Sequence, residues 1–433
     1  MLRFAASPTG DMHIGDLRVA IVNYLVAQQQ NKPFIIRIDD TNKALNIEGK
    51  DTEIMQILEK FALIHHSVFH QSEHQHMHQT LAIKLLEEGK AFVCTCTQNK
   101  IQADKKKAKE TNSDYHYSGC CEKKDQAEHA KLKESGSAFV LRIKKPSKEI
   151  SFHDTIQGNQ TFTPQEIDSF IILNEDGTPT PVFASACDDM LHAIGNVILE
   201  KNAILDSARQ IYIKSQLGFD EQVKYAHLPH IIDCKDACLV KWLFEQGFIP
   251  DAIINYLVLL GYKDAPQKVF TLPEAISWFT LENLSNISNS FDLNALRHLN
   301  REHLKRIEDK QLSSLFGFAD TDVGKLLKLY LNEASTINEL ALKIRPIFAP
   351  KVLNGAYEKE MKIIQKIIME APMIENYDDF KSYILKKSGI QTEMVNMALR
   401  HLLTGVKDAA VKNDPELDDI YPLIKSYLLE VIS

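Results

Sequence analysis

"LRFAASPTGDMHIGDLRVAIVNYL", Leu2 to Leu25, reads as three pieces in series. Leu2 to Ala6 is a short apolar run of the kind that forms a buried strand. Ser7 to Gly15, "SPTGDMHIG", is a loop of small residues punctuated by Gly10 and Gly15 and carrying one histidine, His13. From Asp16 onward, Leu17, Ala20, Ile21, Tyr24 and Leu25 recur at helical spacing. Working outward, "PFIIRI" (Pro33 to Ile38) is a second β-rich run, and the polar "DDTN" (Asp39 to Asn42) follows where that strand should end. Strand, glycine loop, helix, strand is the opening of a doubly wound α/β domain, and such domains bind ligands beyond the carboxyl ends of their strands. Both "SPTGDMHIG" and "DDTN" fall at that edge. Thr9-Gly10 and Ile14-Gly15 let the backbone pass close to a bulky anion, and the amides that open the helix attract phosphate. His13 is placed to donate a hydrogen bond to a transferring phosphate. The same residues also suit an ordinary βα loop with incidental glycines and a surface histidine.

At 433 residues the chain is long enough for two to four domains. Its 44% apolar and 25% charged content is that of a soluble globular protein. No apolar run reaches the roughly 18 residues of a membrane span. The start, "MLRFAASPTG", lacks a signal peptide's charged opening and long apolar stretch, so a cytoplasmic protein is expected. The net charge of −8 excludes a chain that is basic throughout, although a local basic face suffices to bind nucleic acid.

Near Ala91 the pattern changes. The stretch to about Phe170 holds a cysteine cluster, a basic run ("KKKAKE", Lys105 to Glu110) and several short β-like runs, as an insertion into the first domain would. Strand and helix patterns resume at "SFIILNEDGTPTPVFASACDDM" (Ser169 to Met190), with "NEDGT" as a hairpin turn. From about Val240 the pattern is almost all helical, and from about Arg301 amphipathic helices dominate.

Seven cysteines are unevenly placed. Cys94, Cys96, Cys120 and Cys121 sit close together, while Cys187, Cys234 and Cys238 stand apart. In a reducing compartment such a cluster suggests metal before disulfide. "HHSVFHQSEHQHMH", His65 to His78, holds six histidines. With no orienting carboxylate in that pattern, a solvated helix face is the expected reading.

"RFAASPTGDMHIGDLRVAIVNYLVA", followed by "RIDDTN" and "NIEGKD", resembles the start of the glutamyl-tRNA synthetases, class I aminoacyl-tRNA ligases. Their pattern runs RFAPSPTG, HIG, RxA and then RIEDTD. The resemblance continues through "YAHLP" (Tyr225 to Pro229), "VKWLFEQGFIPDAIINYLVLLGY" (Val240 to Tyr262), "FDLNALRHLN" (Phe291 to Asn300) and "LRHLLTG" (Leu399 to Gly405). It ends with "PELDDIYPLIKSYL", Pro415 to Leu428, and so covers nearly the whole chain in order. It implies a Rossmann-like α/β catalytic domain at 1–90 and 170–239, split by an acceptor-stem insertion at 91–169. An all-α region would follow, with a stem-contact domain at 240–305 and an anticodon-binding domain at 306–433. The implied reaction activates glutamate with ATP and Mg²⁺ and moves it to the 3′ end of tRNA, in a cytoplasmic monomer.

On that resemblance His13 and Gly15 are the catalytic pair, and Thr9 and Gly10 join them along the ATP. Arg3 would pair the side-chain carboxylate of glutamate. Ser7 belongs to the same substrate edge, and Asp39, in place of the glutamate of RIEDTD, would hold the amino group. Ala6 and Asn42 are milder departures from the pattern. The zinc site of many family members, Cys-x-Cys and then Tyr-x-x-x-Cys, matches Cys94, Cys96, Tyr117 and Cys121, with Cys120 as an alternative ligand. Thiolates suit a closed, tetrahedral, structural Zn²⁺.

The second half of the site departs further. Pro181 stands where the family has a pocket tyrosine. Where it reads xIRGEDH, this chain has "VILEKNA", so Leu199 replaces the arginine and Ala203 the histidine or tryptophan beside the ATP. A charged hydrogen bond contributes about 1.5–3 kcal/mol, so losing both carboxylate partners should cost glutamate affinity on the order of a thousandfold. The lysine-rich KMSKR loop should lie between "AHLP" and "VKWL". Only "HIIDCKDACL" (His230 to Leu239) is there, with one lysine, Lys235, as a weak substitute. Each lysine of such a clamp is worth roughly 10²–10³ in rate. Three expectations follow: a glutamate–tRNA ligase with impaired activation, a non-catalytic tRNA-binding paralogue, or a ligase for a less acidic amino acid.

Overall fold

The computed structural model describes residues 1–111, 113, 115–123, 138–234, 238–353, 357–406 and 415–432. The twelve strands among them are β1 (Leu2–Ala6), β2 (Phe34–Ile38), β3 (Ser67–His70), β4 (Ala91–Cys94), β5 (Val140–Ile143) and β6 (Ile150–Asp154). They continue with β7 (Gly158–Phe162), β8 (Ile171–Leu173), β9 (Asn196–Glu200), β10 (Lys224–Leu228), β11 (Ile231–Ile232) and β12 (Asn289–Ser290). Seven of them form one sheet in the order β3-β2-β1-β9-β10-β6-β7, parallel except for the edge strand β7. Sequence neighbours β1 and β2 pair in register from Leu2↔Phe34 to Ala6↔Ile38. The far half enters at β9, whose Asn196 faces Leu2. The order reverses between β1 and β9, where a doubly wound sheet opens a crevice at its carboxyl edge.

Helix α1 (Ile14–Gln29) begins two residues before the apolar periodicity, because His13 and Asp16 form a capping box. Thirteen of its sixteen residues are buried. A helix apolar on nearly every side is an interior helix, which is why its sequence lacks a polar stripe. A second sheet, β4-β5-β8, is antiparallel. Strands β6 and β7, inside the stretch read from sequence as an insertion, hydrogen-bond onto the edge of the main sheet through Asp154 and Tyr225. "NEDGT" makes its turn, with Asn174 and Thr178 bonded and Gly177 at φ +78°.

By internal contacts the chain divides into two units. Residues 1–241 and 257–291 form the first, and residues 242–256 and 292–433 the second. The second is all-helical among its described residues. Its core gathers Leu304, Leu327, Ile344, Ile364, Phe380, Leu399 and Tyr421. Gly405 closes helix Thr392–Thr404 at φ +76°, and a methyl group there would press within 2.6 Å of the Pro346 carbonyl. Only glycine meets both demands. No described helix is long and apolar enough to cross a membrane.

Candidate active site

Residues 5–16 run along the carboxyl edge of β1 and open a cavity of about 260 Å³, lined by Ala6, Ser7, Thr9, Gly10, Met12 and Asp16 among others. Ser7, Thr9 and Gly10 are exposed along it. His13 is the residue that caps α1. Its Nδ1 accepts from the Gly15 amide at 3.0 Å, and its own amide donates to Asp16 at 3.2 Å. The predicted loop residues are therefore brought together.

Arg3 lies one turn of the pleat below this edge and is buried. Its Nε and Nη2 hold both oxygens of Asp189 at 3.0 and 2.9 Å. Arg37 reaches the same carboxylate with Nη1 at 3.0 Å, and grips Asp39 through Nε at 2.6 Å and Nη2 at 3.2 Å. Lys214 stands 3.9 Å from Asp189 without a hydrogen bond, and burial lowers its pKa. Burial opposes the Asp189 charge, but the Arg3, Arg37 and Lys214 charges together hold its carboxyl below the ordinary aspartate value. Arg3 retains one buried donor, Nη1, with no partner. Asp39, expected to hold an amino group, already has a bidentate partner in Arg37. Asp189 and Lys214, on helices Pro181–Leu191 and Ile204–Gln216, were missed from sequence, since their charges gain meaning only beside Arg3 of β1 and Arg37 of β2.

Leu199 packs against the apolar cluster of Ile35, Val197 and Tyr225. Pro181 is the exposed first residue of helix Pro181–Leu191, and Ala203 caps helix Ile204–Gln216. Next to Leu199, at the end of β9, Glu200 was also missed. Its carboxylate lies so close over Gly15 that a methyl group on that glycine would collide with it. Burial raises the Glu200 pKa, and the Asp16 charge adds to the rise. The start of α1 attracts anions, and here an anion of the chain itself occupies that place. Its place in the sequence, at the glycine of xIRGEDH, was the available signal. Lys235 lies outside the described residues. The cysteines on either side of it, Cys234 and Cys238, have their Cα atoms 5.2 Å apart and stand apart from the Cys94 group, as their spacing suggested.

At the end of β4 and beyond it, the sulfurs of Cys94, Cys96 and Cys121 lie within 4.8 Å of one another. The Tyr117 hydroxyl is 3.3 Å from Cys94 Sγ and 3.7 Å from Cys96 Sγ. Burial pushes the Cys96 thiol up to about 12, with the Cys120 hydrogen bond adding to it. Soft donors in this number and spacing fit a tetrahedral Zn²⁺. Cys120, the alternative ligand, has its Sγ 3.2 Å from Cys96 Sγ and 4.0 Å from Cys121 Sγ. It is exposed and takes a hydrogen bond from Lys100 at 3.0 Å, which overcomes a partial burial and brings its thiol down to about 6.

The histidine run is a solvated face only in part: His66 and His76 are exposed, while His74 and His78 turn inward. His78 is fully buried, and its Nε2 meets Asp188 at 2.8 Å; His74 meets the same oxygen at 2.9 Å and Gln71 the other at 2.9 Å. The orienting carboxylate exists, but it comes from 110 residues downstream.

This strand order, with its loop of small residues and a capping histidine, is that of a class I tRNA synthetase catalytic domain. The family model "tRNA synthetases class I (E and Q), catalytic domain" matches residues 1–298. Over its whole length the chain is 52% identical to glutamate–tRNA ligase 2 of a Sulfurovum species, covering 100% of both chains. It is 44% identical to glutamate–tRNA ligase 1 of a Nitratiruptor species, again covering 100% of both. The chain belongs to the glutamyl-tRNA synthetase family. In fold it matches the crystal structure of a glutamate tRNA ligase from Elizabethkingia meningosepticum in complex with its amino acid, with a TM-score of 0.81 and 21% identity over 99% of this chain and 97% of that one.

Proposed function

We propose that this chain binds tRNA as a glutamate–tRNA ligase does, and that its activation of glutamate with ATP and Mg²⁺ is impaired. The observation that carries this reading is Glu200, whose carboxylate rests on Gly15 at the start of α1. ATP phosphates brought to the same place meet a negative charge and a filled hollow. Leu199 in the apolar cluster supports the same reading, because it gives glutamate's side chain no second cation beside Arg3. The one lysine in "HIIDCKDACL" supports it further.

In this reading Thr9, Gly10, His13 and Gly15 face the nucleotide, and His13 donates to its phosphates. Arg3 Nη1 takes the glutamate carboxylate, with Ser7 and Asp39 at the edge of the same pocket. Zn²⁺ held by Cys94, Cys96, Cys121 and Tyr117 would fasten the insertion against the acceptor arm, a structural role without a step in the reaction.

ATP–pyrophosphate exchange with glutamate and tRNA present, run beside filter binding of the same tRNA, tests the proposal. The expected result is retained tRNA binding with exchange weaker than a lysine-loop relative by about two orders of magnitude or more. Robust glutamate-dependent exchange from the unaltered chain overturns the impairment. Exchange with another amino acid redirects the reading to a different ligase.

A further inference from the structure

The cavity beside Ser7–Gly15 has an acidic wall. Its ionisable lining residues are Asp11 and Asp16, and no lysine or arginine lines it among the described residues. Asp16 accepts the His13 amide at 3.2 Å, which leaves most of its lone pairs open. Lys50, the first residue of helix Lys50–Lys60, reaches Asp11. It also donates to Glu53 at 2.7 Å, so one positive charge serves two negative ones. The Lys50 bond holds the Asp11 carboxyl below its ordinary value, with the Lys241 charge a smaller contribution, so Asp11 stays charged.

The start of α1 offers an anion little in return. The Gly15 amide is given to His13 Nδ1 at 3.0 Å, so that donor is used within the chain. A ring that accepts at Nδ1 carries no positive charge. Over the same glycine lies the Glu200 carboxylate. Three carboxylates, from the loop, from α1 and from the end of β9, thus stand along one edge of the sheet. Ser7 and Thr9 complete the polar wall, and their hydroxyls make no hydrogen bond among the described residues. Carboxylates accept from O–H and N–H donors, and hydroxyls both donate and accept. Such a wall matches a ligand rich in hydroxyl and amino groups and free of negative charge.

We propose that this cavity takes an uncharged nucleoside in preference to the nucleoside triphosphate, and that Glu200 sets the preference. The inference rests on the reading of Ser7–Gly15 as the nucleotide loop. The vicinal hydroxyls of a ribose donate to Asp11 or Asp16 and exchange hydrogen bonds with Ser7 and Thr9. A triphosphate brings its charges against Glu200 and Asp16, while Lys50 is already engaged by Asp11 and Glu53. Each added phosphate therefore weakens binding, the reverse of what a helix start gives when its amides are free.

The test is calorimetric titration of the full chain with adenosine, AMP and ATP, without divalent cations, at low and at high salt. The expected order is adenosine, then AMP, then ATP, with adenosine at least about tenfold tighter than ATP. Salt screens like-charge repulsion, so ATP binding should strengthen as salt rises while adenosine binding stays put. A site that attracts phosphate shows the opposite sign. Glu200→Gln removes the charge and keeps the shape, and should raise ATP affinity about tenfold while adenosine stays within about twofold. Asp11→Asn, which frees Lys50 for phosphate, should raise ATP affinity with Glu200 untouched. ATP as the tightest of the three ligands, or ATP weakened by salt, overturns the proposal and leaves the reading of the loop in place. An order unchanged in Glu200→Gln overturns it too. Binding of neither adenosine nor ATP to the unaltered chain overturns the proposal and the loop reading together. None of these readouts involves exchange activity, so a failure here is separate from a failure of the impairment reading.

Discussion

The two halves of the main sheet meet at β1 and β9 and share one register, yet they treat their carboxyl ends differently. On the β1 side the edge is a polar loop in which His13 and Asp16 cap α1 and the cavity stays open. On the β9 side Leu199 turns into the apolar cluster and Glu200 reaches back across Gly15. The backbone pairing from Lys224↔Asn196 to Leu228↔Glu200 is unbroken. Sheet register depends on main-chain hydrogen bonds and inward side chains, whereas chemistry depends on the last one or two side chains past the strand. One half-site can therefore change its chemistry while the fold is kept.

The strongest way to break this comparison is to remove what both halves share. Asp189→Ala leaves Arg3, Arg37 and Lys214 buried with no common counter-charge and should destabilise by about 3–5 kcal/mol, read as a drop in urea midpoint at unchanged slope. A loss under about 1 kcal/mol would mean that the cluster is more hydrated than its burial suggests. Glu200→Gly sharpens the contrast directly. With the carboxylate gone from Gly15, glutamate-dependent exchange should rise at least tenfold, ~1.4 kcal/mol of barrier, and an unchanged rate would exonerate Glu200.

A smaller effect concerns Asp188. Burial alone would raise its pKa, but the His78 hydrogen bond and the Arg37 charge bring it below the ordinary 3.8. A carboxylate depressed by folding stabilises the protein above its unfolded pKa, and that stability is lost as pH falls through the folded one. Melting temperature should therefore decline below about pH 4, and Asp188→Asn should flatten part of the decline while lowering stability at neutral pH. Smallest is Leu199→Ala, a half-buried truncation expected to cost about 1–2 kcal/mol in thermal unfolding, without altering exchange. If exchange changed as well, Leu199 would belong to the pocket after all.

Much of the fold was legible locally. Leu2–Ala6 and Phe34–Ile38 are strands where their apolar runs lie, and α1 differs from its periodic pattern only by an earlier start at the His13 cap. The thiol cluster was legible too, since Cys94, Cys96 and Cys121 converge across a short span. The histidine run misled because the carboxylate that orients His74 and His78, Asp188, lies 114 and 110 residues further along the chain.

The sequence by itself determined the order of strand, loop and helix, the glycine loop with His13, and the absence of a lysine-rich loop before Val240. All of these are carried by residues near one another in the chain. Only the tertiary structure decided which charges are paired and which donors remain free. Arg3 finds Asp189 across 186 residues, His78 finds Asp188 across 110, and His13 finds Cys234 across 221. Parallel strands bring such positions together through crossovers, so the partner of a buried charge is set by sheet order and register, which no local pattern encodes.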